Sequence, residues 1–163
     1  MGKLDRLQPA AVWNVFEKMS DVPRGSGNEA AVQSMFKAWA DERGLKWQED
    51  AVGNLLISIP GTKGREKAAP VLIQGHVDMV CEKNAATKHD FEKDPIKLRV
   101  KGGWVDADGT TLGADNGIGV ASMLALIEAT DLTHGPLELL FTMDEETGMT
   151  GAVPNGWTLS AAH

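Results

Sequence analysis

Two hydrophobic periods alternate along this chain, and the alternation leaves few folds open. Val12, Val15, Phe16 and Met19 fall at i, i+3, i+4 and i+7 behind Pro9, which predicts a first helix with the proline in its opening turn. Val32, Met35, Phe36 and Trp39 repeat that spacing in a second helix closing near Gly44, and Ser26 with Glu29 forms a Ser-x-x-Glu pattern that predicts a capping box at its start. From Leu45 the period changes. Asn54 to Ile59 reads as a strand ending at Pro60-Gly61, and Gly61 to Lys67 as an exposed hairpin or loop. Val71-Leu72-Ile73 opens another strand, nearly all apolar, which predicts a central position in a sheet covered on both faces. Glu82 to Asp108 is polar and broken by Asp94-Pro95 and Gly102-Gly103, an excursion in which Ile96 to Val100 alternates like an edge strand. Asn116 to Thr130 predicts a Gly/Ala-rich helix, and after a break at His134-Gly135-Pro136 a strand runs from Leu137 to Phe141. Helices alternating with buried strands predict an α/β fold built on a three-layer mixed sheet.

Charge excludes one class of partner. The 16 Lys and Arg against 23 Asp and Glu give a net charge of −7, with the basic residues scattered, so there is no cationic footprint for nucleic acid. The longest nearly uncharged apolar stretch, Ile118 to Ile127, is about half of a membrane span. No export signal or lipid anchor is written at the N-terminus, where Arg6 stands in the position that myristoylation gives to Ser or Thr. Cys81 is the one cysteine of the sequence, which excludes an intrachain disulfide and a cysteine zinc site and favours a buried, inert thiol. The expectation is a cytoplasmic protein. No repeat or linker divides residues 1–163, so they read as one domain, and the Gly/Pro-rich stretch after Gly148 gives the chain the look of a part of a larger one.

Three clusters fall where open α/β sheets place their ligand sites, just after strands or at a helix start. In His76-Val77-Asp78 the strand period puts both polar side chains on one side, so the carboxylate can orient the imidazole as a metal-binding histidine requires; the bland alternative is a satisfied histidine beside a solvated aspartate. Asp115 stands in Gly-Ala-Asp-Asn-Gly, where it either caps the helix or meets a metal that the small residues allow close to the backbone. Asp144-Glu145-Glu146 follows a buried strand. It is either a solvated loop or a pair in which one glutamate binds metal while its neighbour faces substrate. An N/O donor set without thiolates suits zinc, with manganese or cobalt as substitutes. A carboxylate bridging two such ions predicts metal-assisted hydrolysis.

Weaker patterns fail their context. Gly25 to Ala30 matches a loose G-x-G-x-x-A with Asp50 downstream, but a helix rather than a strand precedes it. Asp106-Ala107-Asp108 opens like a calcium loop, yet Thr111 and Gly117 stand where that loop needs Gly and Glu. His89 and His134 read as surface or turn residues, and the five tryptophans, Trp157 included, are spread as core packing rather than a base-stacking platform.

Taken in order, Gln74-Gly75-His76-Val77-Asp78-Met79-Val80, Gly109-Thr110-Thr111-Leu112-Gly113-Ala114-Asp115-Asn116-Gly117-Ile118-Gly119, His134-Gly135-Pro136-Leu137-Glu138 and Asp144-Glu145-Glu146-Thr147-Gly148-Met149-Thr150-Gly151-Ala152 closely resemble the bacterial aminoacyl-histidine dipeptidases. These are the Xaa-His, or carnosinase-like, branch of the co-catalytic zinc peptidases, and the likeness runs from the first helix to about Ala152. The resemblance implies that His76 ligates a first zinc with Asp78 behind it, that Asp115 bridges two zinc ions, and that Glu146 ligates the second. It implies that Glu145 is the general base, taking a proton from the attacking water and passing it to the leaving amine. Dipeptides, often with C-terminal histidine such as beta-alanyl-histidine, are the implied substrates.

The family is longer. Its members add a further aspartate ligand, a lid domain and a late histidine, whereas Asp144 is the last aspartate here and His163, the final residue, does not match that histidine. The expectation is therefore the N-terminal part of a catalytic domain without its lid, with two protein ligands per metal where catalytic zinc usually has three. By itself such a part is expected to be inactive or nearly so, and its full-length parent to be an enzyme and a homodimer. Rival readings are an aminoacylase or carboxypeptidase of the same clan, a noncatalytic binding module, and a metal-independent carboxylate-pair hydrolase.

Overall fold

A computed structural model describes residues 2–152, so Trp157 and His163 lie outside the described residues. Both early helices form where the apolar spacing put them. Helix α1 (Ala10–Ser20) turns Val15, Phe16 and Met19 inward, and α2 (Ala30–Glu42) turns Val32, Phe36, Trp39 and Ala40 inward. Pro9 stands at the N-cap of α1, one place ahead of the predicted first turn. The capping box does not form: Glu29 is the N-cap of α2, no side chain caps it, and Ser26 lies four residues outside the helix.

Strands β1 (Lys46–Glu49), β2 (Leu55–Ile59), β3 (Val71–His76) and β6 (Leu137–Thr142) make one mixed sheet in the order β1-β2-β6-β3. β6 runs antiparallel to β2 and parallel to β3. Strand β3 therefore lies at the end of the described sheet rather than at its centre, with Val71 52% exposed. Three apolar residues signal burial of a strand, but a run so short does not distinguish inner strands from outer ones. The polar excursion is real. It folds as a separate hairpin of β4 (Leu98–Lys101) and β5 (Trp104–Ala107), of which the apolar alternation pointed to the first strand alone.

Helix α3 (Ala114–Glu128) lies against α1 and β3. Gly75 pairs with Phe141 across β3 and β6, so both face the same side. Any Cβ at Gly75 would meet Val120 and Met123 of α3, and Phe141 stacks on Phe36 of α2 with centroids 5.0 Å apart. Trp39 of α2 donates to Glu128 of α3, so α1, α2 and α3 share one layer over the face bearing Leu55, Ile57, Leu139 and Phe141. The α/β class with a mixed sheet holds. Because β3 and β6 are parallel, their C-terminal ends emerge side by side, joined by Val77 N–H donating to Thr142 O at 2.9 Å. The start of α3 reaches the same end, as does the four-residue helix α4 (Glu145–Gly148) that follows β6.

Candidate metal centre

The three clusters come together at that end of the sheet. His76 is the last residue of β3 and is buried, while the Asp115 side chain is 83% exposed. The imidazole Nε2 lies 3.1 Å from Asp115 Oδ1 and 3.9 Å from Glu145 Oε2. One donor atom each from His76, Asp115 and Glu146 lies within 4.8 Å of the other two. Asp115 and Asn116 have non-helical backbone angles within the span of α3 and no side chain caps the helix, so the capping alternative for Asp115 is not realised.

Asp78 is fully buried and is held by three donors. Its Oδ1 accepts from the backbone N–H of Glu145 at 3.1 Å, and its Oδ2 from the N–H of Glu146 at 3.1 Å and from Ser26 Oγ at 2.7 Å. One carboxylate thus satisfies free amides at the start of α4 and fixes both glutamates relative to β3. His76 Nδ1 is 3.3 Å from Asp78 Oδ1, near enough for a charge contact yet outside hydrogen-bond geometry. The same-side expectation for His76 and Asp78 is met.

Among the described residues no Lys or Arg forms an ion pair with Asp115, Glu145 or Glu146. Burial raises the Glu146 pKa, His76 opposes the rise, and Asp115, Glu145 and Asp78 add to it by repulsion. Three carboxylates crowding one imidazole, all hard or borderline N/O donors, suit a divalent cation of the zinc, manganese or cobalt type. Asp144 takes a different part. It adopts φ 52° and accepts from the hydroxyls of Thr147 and Thr150, which hold its carboxyl below the usual range, while its N–H donates to Glu29 Oε1 at 3.1 Å. It shapes the turn that presents the two glutamates.

Sequence reasoning missed the group beneath the site. Arg24 is 2% exposed, and its Nη1 donates to the carbonyls of Val77 at 2.9 Å and Asp78 at 3.4 Å, its Nη2 to that of Gly113 at 2.5 Å. It ties the strand end carrying His76 and Asp78 to the turn carrying Asp115. Burial pushes its pKa down to about 10 against the pull of Asp78 and then Cys81, so the guanidinium stays charged at neutral pH. The small residues of Gly-Ala-Asp-Asn-Gly find their reason here. A Cβ at Gly113 or Gly117 would stand 2.5 or 2.7 Å from Arg24 Nη2, so a guanidinium makes a close approach of the kind these small residues allow. Ser26 and Glu29, read as a capping box, instead hold Asp78 and the Asp144 amide. The density of glycine around Arg24 and around Asp115 was the only sign of this.

Similarity to known proteins agrees with the geometry. The chain is 49% identical over 152 residues to the cytosol non-specific dipeptidase of Escherichia coli strain K12, covering 93% of this chain and 31% of that protein. The crystal structure of aminoacylhistidine dipeptidase from Vibrio alginolyticus superposes with a TM-score of 0.89 at 47% identity, over 91% of this chain and 30% of that one. An aminopeptidase from Bacillus cereus superposes with a TM-score of 0.71 at 27% identity, over 87% of this chain and 38% of that one. The chain spans a third or so of the length of these relatives. The sequence profile of peptidase family M20/M25/M40 matches residues 72–158, more than half of the 163 residues and all three clusters. This chain belongs to peptidase family M20/M25/M40.

Proposed function

We propose that this chain carries the metal-binding and base-bearing part of a dipeptidase, in which His76, Asp115 and Glu146 hold zinc and Glu145 is the general base. The observation that carries the reading is the convergence of His76, Asp115 and Glu146 donor atoms within 4.8 Å, with the Glu145 carboxylate 3.9 Å from the same imidazole nitrogen. Asp115, with two oxygens and an exposed side chain, is the residue to bridge a second ion. Zinc in such a site supplies Lewis-acid polarisation of the scissile carbonyl and eases deprotonation of water, and manganese or cobalt can stand in for it.

The remaining roles follow from the protein's own groups. Asp78, pinned by Ser26 and two backbone amides, stands 3.3 Å from His76 Nδ1 without a hydrogen bond to it, and with a metal held at Nε2 it would be the acceptor beside the Nδ1 proton. Glu145 takes a proton from the attacking water and delivers it to the departing amine, a transfer for which its half-exposed carboxylate is free. The substrates are dipeptides, Xaa-His among them, such as beta-alanyl-histidine. The name of the E. coli relative supports a broad dipeptide range and a cytosolic setting. No helix among the described residues is long and apolar enough to cross a membrane.

The test is Glu145→Gln in such a protein, assayed on a panel of Xaa-His and other dipeptides alongside zinc titration by calorimetry. Turnover falls by about 10²- to 10⁴-fold while zinc stoichiometry is kept. Turnover that survives the change, or that survives removal of metal by a chelator, overturns the mechanism.

A further inference from the structure

The hydrogen bonds of the Arg24 guanidinium run to main-chain carbonyls that flank two residues of the metal centre. Val77 follows His76 directly, Asp78 comes next, and Gly113 lies just ahead of Ala114-Asp115. Nη1 grips the end of β3 and Nη2 grips the turn before α3, so one planar group spans both segments. Nε is buried without a partner, which leaves all of the holding to the fork. The arginine is itself fixed: its carbonyl accepts from Met79 N–H at 3.1 Å, and Gly25 forms a parallel bridge with Met79.

Asp115 needs such a hold. Its side chain is 83% exposed, and among the described residues its one side-chain hydrogen-bond contact is with His76. The backbone angles of Asp115 and Asn116 are non-helical, so the regular ladder of α3 does not fix them. A second tie between the same segments, Thr111 Oγ1 to Val80 O at 2.6 Å and Thr111 N–H to Glu82 O at 2.8 Å, lies further from both His76 and Asp115.

Charge and geometry pull in opposite directions here. A cation beneath a cation site repels the metal, and a buried charge adds little to stability by itself. A rigid fork, by contrast, holds carbonyls of two segments at a set separation, which the single ammonium of lysine does not. We propose that Arg24 is a positioning residue of the metal centre, whose fork sets the separation of His76 from Asp115 and thereby how tightly the centre holds its metal. The inference rests on the proposed ligand assignment and adds what keeps two of the ligands in place.

Zinc binding to this chain is measured by calorimetry for wild type, Arg24→Lys and Arg24→Met, with the visible absorption of bound cobalt as a second readout of ligand geometry. Ile57→Ala is the control for lost stability, since Ile57 is fully buried in β2, a strand that β6 separates from β3. Both Arg24 variants weaken zinc by about 10- to 100-fold, the range for loss of an outer partner, and alter the cobalt spectrum, while Ile57→Ala keeps both wild-type values. Gly117→Ala, whose methyl would stand 2.7 Å from Nη2, displaces the fork with the charge kept and weakens zinc in the same direction. It decides the matter if the Arg24 variants do not fold. Unchanged affinity and spectrum in Arg24→Lys, tighter zinc in Arg24→Met, or equal weakening in Ile57→Ala overturns the positioning role and leaves the ligand assignment standing. A wild-type chain that binds no zinc, or a His76→Ala chain that binds it as before, overturns the ligand assignment and this inference with it.

Discussion

Replacing Gly117 by alanine tests whether Arg24 is as tightly seated as its contacts imply. In an ordinary helix the change gains up to about 1 kcal/mol from propensity. Here the new methyl would lie 2.7 Å from Arg24 Nη2 and 3.0 Å from the Phe16 ring. The end of an arginine usually swings away at little cost. This one cannot move freely, because Nη2 donates to Gly113 O at 2.5 Å and Nη1 to two further carbonyls in a site 2% exposed. Giving up one charge-assisted hydrogen bond costs about 1.5 to 3 kcal/mol. Set against a propensity gain of about 1 kcal/mol, the net loss is about 0.5 to 2 kcal/mol. Urea unfolding followed by tryptophan fluorescence measures it, and the melting temperature falls by about 2 to 4 °C per kcal/mol in a domain of this size. Gly44→Ala, at φ 64° with open space around the new methyl, is the comparison, because it carries backbone strain of about 1 kcal/mol and no clash. In an Arg24→Lys background, which has no Nη2, the Gly117→Ala loss shrinks by most of its value. A Gly117→Ala chain as stable as wild type, or more so, would show that the guanidinium is not a fixed wall.

His76→Ala removes stoichiometric zinc binding while far-ultraviolet circular dichroism keeps the wild-type spectrum; zinc bound as before would refute the ligand assignment. Asp78→Asn weakens zinc by about 10- to 100-fold, as loss of an outer partner does, and an unchanged affinity would remove Asp78 from that part. Ser26→Ala deletes the 2.7 Å donor to the Asp78 carboxylate and lowers stability by about 1.5 to 3 kcal/mol in urea, where a surface capping serine would cost about 1. Hydrogen bonding from Arg99 holds Asp106 below the usual carboxylate range on the β4–β5 hairpin. That contribution is complete above the ordinary aspartate value and is lost as pH falls through the lower, folded one. Carboxyl NMR of Arg99→Gln should find Asp106 titrating higher, and an unmoved Asp106 would refute the pairing.

The residues that converge at the candidate site were legible because each follows a local pattern. His76 and Asp78 share a side by the strand period, and Asp115 is marked by the glycines around it. Glu145 and Glu146 directly follow an apolar strand. What supports them was hidden for an equally physical reason. Ser26 and Glu29 have the spacing of a capping box, yet Ser26 bonds to a carboxylate 52 residues away and Glu29 to an amide 115 residues away. Arg24 is indistinguishable in sequence from a surface arginine until three carbonyls from distant segments surround it. The separate hairpin was half legible, since apolar alternation marked β4 while the four residues Trp104–Ala107 are too few to show a period and left β5 unmarked.

By itself the sequence determined the helices, the apolar strands and the chemistry of the donors, since periodicity and residue type act over a few neighbours. Only the tertiary structure decided that β3 lies beside β6, that their parallel ends meet the start of α3, and that a buried guanidinium joins them. Those contacts are set by packing and hydrogen bonds between segments far apart in the chain, and no local pattern encodes where such segments meet.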